Sequence, residues 1–69
     1  MVKFHRLYAP GLVAYVARLG GHRAYVSRLE SQPGPWTVSL DGKAAPGYPE
    51  FATGREARAL ARQLLANAS

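Results

Sequence analysis

Two linked runs, Trp36-Thr37-Val38-Ser39-Leu40-Asp41-Gly42 and Phe51-Ala52-Thr53-Gly54-Arg55-Glu56-Ala57-Arg58-Ala59-Leu60-Ala61-Arg62-Gln63-Leu64-Leu65, decide the fold. Trp36, Val38 and Leu40 alternate with Thr37, Ser39 and Asp41, the period of a strand with one buried face. Asp41-Gly42 ends that strand as a turn. Thr53 stands where a helix needs an N-cap, and Glu56, three residues on, completes a Thr-x-x-Glu capping box. Phe51, just before the cap, is placed to pack back on the first helical turn. Ala57, Leu60, Ala61, Leu64 and Ala68 recur at helical spacing as an apolar stripe, and Arg55, Arg58 and Arg62 form a separate basic stripe. The helix is expected from Gly54 to about Asn67.

Upstream, the pattern is also that of strands. Val2 to Tyr8 alternates loosely. Pro10-Gly11 suits a type II turn, since proline presets the second position and glycine accepts the positive φ of the third. Leu12 to Leu19 and His22 to Glu30 are rich in Val, Tyr and Leu and are separated by Gly20-Gly21, a two-residue hairpin signal. Ser31 to Pro35 is a loop, because proline cannot donate to a ladder. Pro46, Gly47 and Pro49 likewise make Lys43 to Phe51 a loop, with one or two extended residues near Tyr48 and Phe51. The expected fold is α+β: a three- or four-stranded antiparallel β-meander with one C-terminal amphipathic helix packed on one face, in a single domain spanning residues 1–69.

A two-residue turn at Gly20-Gly21 sets Leu19 against His22, Ala17 against Ala24 and Tyr15 against Val26. Val13, Tyr15, Ala17, Ala24 and Val26 then share the core face with Trp36, Val38 and Leu40. The opposite face, open to water or a partner, carries Arg18, Arg23, Tyr25, Ser27, Thr37 and Ser39, with Val16 among them. Arg28 falls on the core side in this register. It must therefore sit at the sheet edge unless the register is slipped by one residue, which would invert both faces.

A chain of 69 residues buries a thin core. With no cysteine, neither a disulfide nor a thiolate metal site can staple it, which makes a close-packed helix on a sheet, or a homodimer, the route to stability. No run approaches the ~20 apolar residues of a membrane span, and the start, interrupted by Lys3, His5, Arg6 and Pro10-Gly11, lacks the apolar core of a signal peptide. A cytoplasmic protein without a membrane partner is expected. Nine Lys and Arg stand against four Asp and Glu, a net charge of +5, and seven of the nine cations are arginine. Such a balance favours polyanions, and arginine in particular forks onto phosphates and guanine edges.

Catalytic chemistry finds little footing. The histidines, His5 and His22, have no nucleophile placed beside them and read as solvated strand residues. Among the acids, Glu56 is accounted for by capping and Asp41 by the turn. No metal-ligand spacing, phosphate loop or nucleophile motif occurs. A non-enzyme without metal or cofactor is expected. Nucleic-acid binding is better supported, because arginines neutralise phosphates, hydroxyls reach backbone oxygens, and a sheet can enter a major groove or carry stacked bases. The residues assigned to it are Arg18, Arg23, Tyr25 and Ser27 on the open face, with Lys43 and the helical Arg55, Arg58 and Arg62.

Trp36-x-Val38-x-x-Asp41-Gly42 followed by Phe51-x-Thr53-x-x-Glu56-Ala57 resembles the arm-type DNA-binding domain at the N terminus of phage tyrosine integrases. The resemblance covers about thirty residues of the chain. It implies a sheet backed by one helix and inserted into the major groove of duplex DNA, in a small phage or actinobacterial accessory protein. Pro46 and Pro49 stand where that family has a basic strand, and Lys43 is the one cation there, so the DNA contacts are expected on the upstream Arg18–Arg23 hairpin. The competing expectation is a phage-type protein-interaction module that modulates an acidic host protein. Val16, Tyr25, Tyr48 and Trp36 would then supply contact area, with self-association through a strand edge or the open face.

Overall fold

The computed structural model describes residues 2–68. Five strands follow in chain order as a meander: β1 (His5–Ala9), β2 (Leu12–Leu19), β3 (His22–Leu29), β4 (Trp36–Leu40) and the two-residue β5 (Lys43–Ala44). A second two-residue strand, β6 (Glu50–Phe51), also pairs with β4, and helix α1 (Gly54–Ala68) closes the chain. All pairings are antiparallel. The fold is therefore an α+β meander with one C-terminal helix on one face, as the sequence implies, enlarged by two short strands. No helix among the described residues is long and apolar enough to cross a membrane.

The turns explain the register. Gly11 takes φ 78°, as the third position of a type II turn requires, and it sets Ala9 against Leu12. Gly20 and Gly21, and likewise Asp41 and Gly42, have positive φ at both central positions, the type I′ geometry whose twist matches that of flanking strands. The first of these pairs Leu19 with His22, Ala17 with Ala24 and Tyr15 with Val26, which is the expected register. The second folds Lys43 back on Leu40 and so converts the start of the expected loop into β5.

The loop reading of Lys43 to Phe51 needs correction at both ends. Ala45 is buried and its N–H donates to the Val38 carbonyl at 3.0 Å, while Glu50 and Phe51 pair with Thr37 and Trp36. Pro46, Gly47 and Pro49 limit each piece to two residues but do not prevent pairing. Between them, Tyr48 adopts φ 50° and is 80 % exposed, so it is a turn residue and not an extended one. β5 and β6 together line the outer edge of β4, one at each end, and that edge is the one a bare strand would offer to aggregation.

The core gathers Val13, Ala17, Ala24, Val26, Trp36 and Val38 from the sheet, Ala45, and Ala57, Ala61 and Leu65 from the helix. The helix packs over β3 and β4, reaches β2 less, and makes no close approach to β1. Alanines at the crossing, Ala57 and Ala61 over Ala17 and Ala24, are all fully buried and allow a close approach of helix to sheet. The buried line of α1 is Ala57–Ala61–Leu65. Leu60 and Leu64 flank it, packed against the core but only half-buried, so the apolar stripe is centred on a line that ends in Leu65, a residue outside the expected set. The Thr53 cap is present: its hydroxyl oxygen accepts from the Glu56 N–H at 3.3 Å, and the hydroxyl donates to the Glu56 carboxylate at 3.1 Å.

Candidate nucleic-acid interface

The register divides the expected site residues between two layers. Arg18 lies directly opposite Arg23, Val16 opposite Tyr25, and Ala14 opposite Ser27, all on the open face. Across the next pairing, Tyr25 meets Ser39 and Ser27 meets Thr37. The Ser27 and Thr37 hydroxyls approach to 3.5 Å, and the Thr37 hydroxyl donates to the Ser27 carbonyl at 3.4 Å, so they partly satisfy each other. Arg55, Arg58 and Arg62 lie on the helix, in the other layer, and Lys43 is exposed in β5. The structure brings Arg18, Arg23, Tyr25 and Ser27 together as expected, but not with the helical arginines.

The open face is less polar than its arginines imply. β1 adds His5 beside Val16, Leu7 beside Ala14 and Ala9 beside Leu12. Lys3, His5 and Arg18 rim a shallow depression of about 630 Å³ floored by Leu7, Val16 and Leu19, with Val2 at its end. Cations thus gather at one end, and apolar rows fill the middle. Two residues named as contact area are withdrawn from it: Val16 is only 4 % exposed, and Trp36, at 9 %, belongs to the core under the helix.

His22 is a partly exposed strand residue, as expected, but it has a partner. Its Nδ1 lies 2.6 Å from Asp41 Oδ2, and Asp41 Oδ1 accepts from the Arg23 N–H at 2.9 Å. The Asp41 N–H in turn donates to the Arg23 carbonyl at 2.8 Å. The turn aspartate therefore clamps the β4–β5 turn to the start of β3. The His22 hydrogen bond first, and the Arg23 N–H second, lower the Asp41 pKa below its ordinary value of 3.8. This clamp holds the turn end of the β2–β3 hairpin and leaves Arg23 with a carboxylate nearby.

A second cationic surface, which sequence reasoning located only in part, lies on the helix side. Because α1 stops short of β1, the core-facing side of β1 and β2 forms a shelf beside the helix. Arg6 lies over Tyr8 at 5.3 Å from the ring centroid and over Tyr15 at 5.6 Å. Arg58 reaches Tyr15 from the helix at 6.0 Å, and Arg62 reaches Phe4 at 5.1 Å. Arg28 lies over Trp36 at 5.3 Å, and the Tyr15 and Trp36 rings are 6.3 Å apart. The Arg28 guanidinium also donates to the carbonyls of Leu29, Glu30 and Gln32, which fixes the loop after β3.

Arg28 thus sits where the register put it, on the core side. It is tolerated because it comes next to last in β3, where the chain end of the strand runs into the loop, and not because β3 is an edge strand. Arg6 was recoverable: the Pro10-Gly11 turn alone pairs Arg6 with Tyr15. Among the described residues, none of Arg6, Arg28, Arg58 and Arg62 has a carboxylate within ion-pair distance; the ion pair found is His22–Asp41. Among the same residues no group of three or more His, Cys, Asp or Glu is placed to hold a metal ion. Comparison with protein-family models, with curated proteins and with solved structures returned no match.

Proposed function

We propose that this chain is a non-catalytic nucleic-acid-binding protein of the cytoplasm, and that its principal contact surface is the arginine shelf beside the helix. The observation that carries the reading is the set Arg6, Arg58 and Arg62, held over aromatic rings at 5.1–6.0 Å with no carboxylate partner among the described residues. Cations left unpaired while a chain has acids elsewhere are available to phosphates, and stacking on a ring removes part of the side-chain freedom that binding would otherwise cost. The net charge of +5 adds a long-range pull on a polyanion. The integrase resemblance implies duplex DNA meeting the open sheet face. On that face the cations Lys3, Arg18 and Arg23 stand at one end of apolar rows, which makes it the lesser of the two electrostatic surfaces.

The test is fluorescence anisotropy with labelled oligonucleotides over a salt series. Binding in the micromolar range or tighter at low salt, falling log-linearly with salt, is expected. Replacing Arg58 and Arg62 together by alanine should lower the salt slope by roughly 1.4–1.8, since each phosphate contact contributes about 0.7–0.9. Replacing Arg18 and Arg23 should lower it less. Absence of binding to any nucleic acid at low salt sinks the proposal.

One observation favours a second reading. Leu7, Leu12 and Leu29 join Tyr25 on the open face, and Leu7 lines the depression at Lys3, His5 and Arg18. That composition, aromatic and aliphatic with cations at the rim, suits a protein partner, a host protein of acidic character or a second copy. Sedimentation equilibrium that returns a monomer at all concentrations, together with a Leu7→Glu variant indistinguishable in cells from the parent, would remove it.

A further inference from the structure

Tyr8 has no core role to explain it. It is 88 % exposed at the penultimate position of β1, yet its ring is held by Arg6 on the same face of the strand. From Tyr8 the shelf continues through Arg6 to Tyr15, which Arg58 also reaches, and behind Tyr15 lie the core ring of Trp36 and then Arg28. Successive members are separated by 5.3, 5.6, 6.3 and 5.3 Å. A guanidinium over a ring keeps its N–H edge for a phosphate, and an exposed ring keeps its other face for a nucleobase. Base faces are accessible in a single strand and hidden inside a duplex, where such a surface could use its charge alone.

We infer that the helix-side shelf takes the unpaired nucleotides of a single strand, with a base stacked on the exposed ring of Tyr8 and the strand's phosphates met by Arg6 and Arg58. This rests on the nucleic-acid reading above and names the form of nucleic acid. The exposure of Tyr8 favours a single strand over a duplex: its ring is 88 % exposed on an edge strand, and a base face can stack on it only where the base is free of its own duplex stack. An acidic peptide would engage the guanidiniums but has no use for Tyr8, so Tyr8 separates the two polyanions.

The experiment compares a short labelled oligothymidylate with a duplex of equal length, at one low salt concentration, on the parent chain and on Tyr8→Ala, Tyr8→Phe and Arg6→Ala. Circular dichroism checks that each variant is folded, which the exposure of Tyr8 favours. The single strand should bind more tightly than the duplex. Tyr8→Ala should weaken single-strand binding about tenfold and Tyr8→Phe should restore it, as loss and return of one stacked base require. Duplex affinity should stay within about twofold of the parent on the same reasoning. Equal or tighter duplex binding, indifferent to Tyr8→Ala, overturns the inference and leaves the nucleic-acid reading standing. Failure of both nucleic acids, with polyglutamate bound instead, overturns both and assigns the shelf to an acidic protein.

Discussion

Gly54 is the first residue of the helix, and a glycine there invites replacement by alanine. Alanine restricts the unfolded chain and favours the helix, effects worth about 0.4–1 kcal/mol where the site is compatible. The packing opposes it. A Cβ at position 54 would lie 3.1 Å from Cζ2 and 3.2 Å from Cε2 of Trp36, and 3.1 Å from Nη1 of Arg58. The guanidinium is the tip of a flexible chain and can move aside. The indole cannot move as freely: Trp36 is buried in β4, paired with Phe51 on one side and overlaid by Arg28. Forcing extra volume against such a ring costs about 1–3 kcal/mol. The steric term wins, and Gly54→Ala should destabilise by about 1 kcal/mol, a fall of roughly 4–8 °C in Tm for a chain of this size. Thermal unfolding followed by circular dichroism measures the shift. Emission of Trp36, the one tryptophan in the chain, reports whether the indole has been displaced. A Tm at or above that of the parent with unchanged emission would show that the helix start and Trp36 are not in contact, and the account of how the helix docks would fail with it.

Leu65 is fully buried at the end of the helix's packed line. Leu65→Ala should cost about 2–5 kcal/mol, a large part of the roughly 3–10 kcal/mol that such a chain holds; urea unfolding should find the midpoint moved sharply down, whereas Ala59→Gly on the exposed side should cost only about 1 kcal/mol. Gly42 has φ 84° and open space where a methyl group would stand, so Gly42→Ala is a backbone effect alone, worth about 1–2 kcal/mol, and D-alanine at the same position should recover it. Asp41 has a lowered pKa in the folded chain, so its contribution is present above the unfolded value near 3.8 and is lost as pH falls through the folded value. Asp41→Asn should therefore be less stable than the parent at neutral pH, and the gap should close as Tm is followed down through pH 4 toward pH 2.

The strands, their turns and the two faces of the sheet were legible because each depends on local chemistry: glycines at positive φ set the turns, and period-two alternation sets the faces. The short β5 and β6 were not. Two residues carry no periodicity, and the prolines between them look like a reason for a loop when they only limit strand length. Leu65 was missed because a helical stripe has width, and the spacing of Ala57, Leu60, Ala61, Leu64 and Ala68 does not say which line points inward. The site was legible by residue type but not by grouping. Arg58 and Arg62 could be assigned to one helix face, but whether that face meets water alone or the rings of Tyr15 and Phe4 depends on where the helix lies across the sheet. That placement follows from the packing of Ala17, Ala24, Ala57 and Ala61, a tertiary fact with no one-dimensional signal.

The same placement accounts for the arginines on the core side of the sheet. In the cross-strand row Arg6–Tyr15–Val26–Val38, the members under the helix are apolar and the member beyond it is charged. In the row Tyr8–Val13–Arg28, with Trp36 nearby, the cation again sits where helical cover ends. Burying either guanidinium under the helix without a partner would be prohibitive, so these positions mark the limit of the helix's footprint. At position 28 arginine has a structural use, since its guanidinium ties the carbonyls of Leu29, Glu30 and Gln32. At position 6 stability does not require it: a leucine would lie on the same rings and extend a thin core. Arg6 gives up that burial, adds to a net charge of +5 that already repels itself, and keeps a cation against aromatic rings at the surface. A residue that forgoes stability in this way is most simply explained by what it can bind. That is why the shelf, and not the more recognisable strand–turn–helix segment beneath it, carries the functional reading.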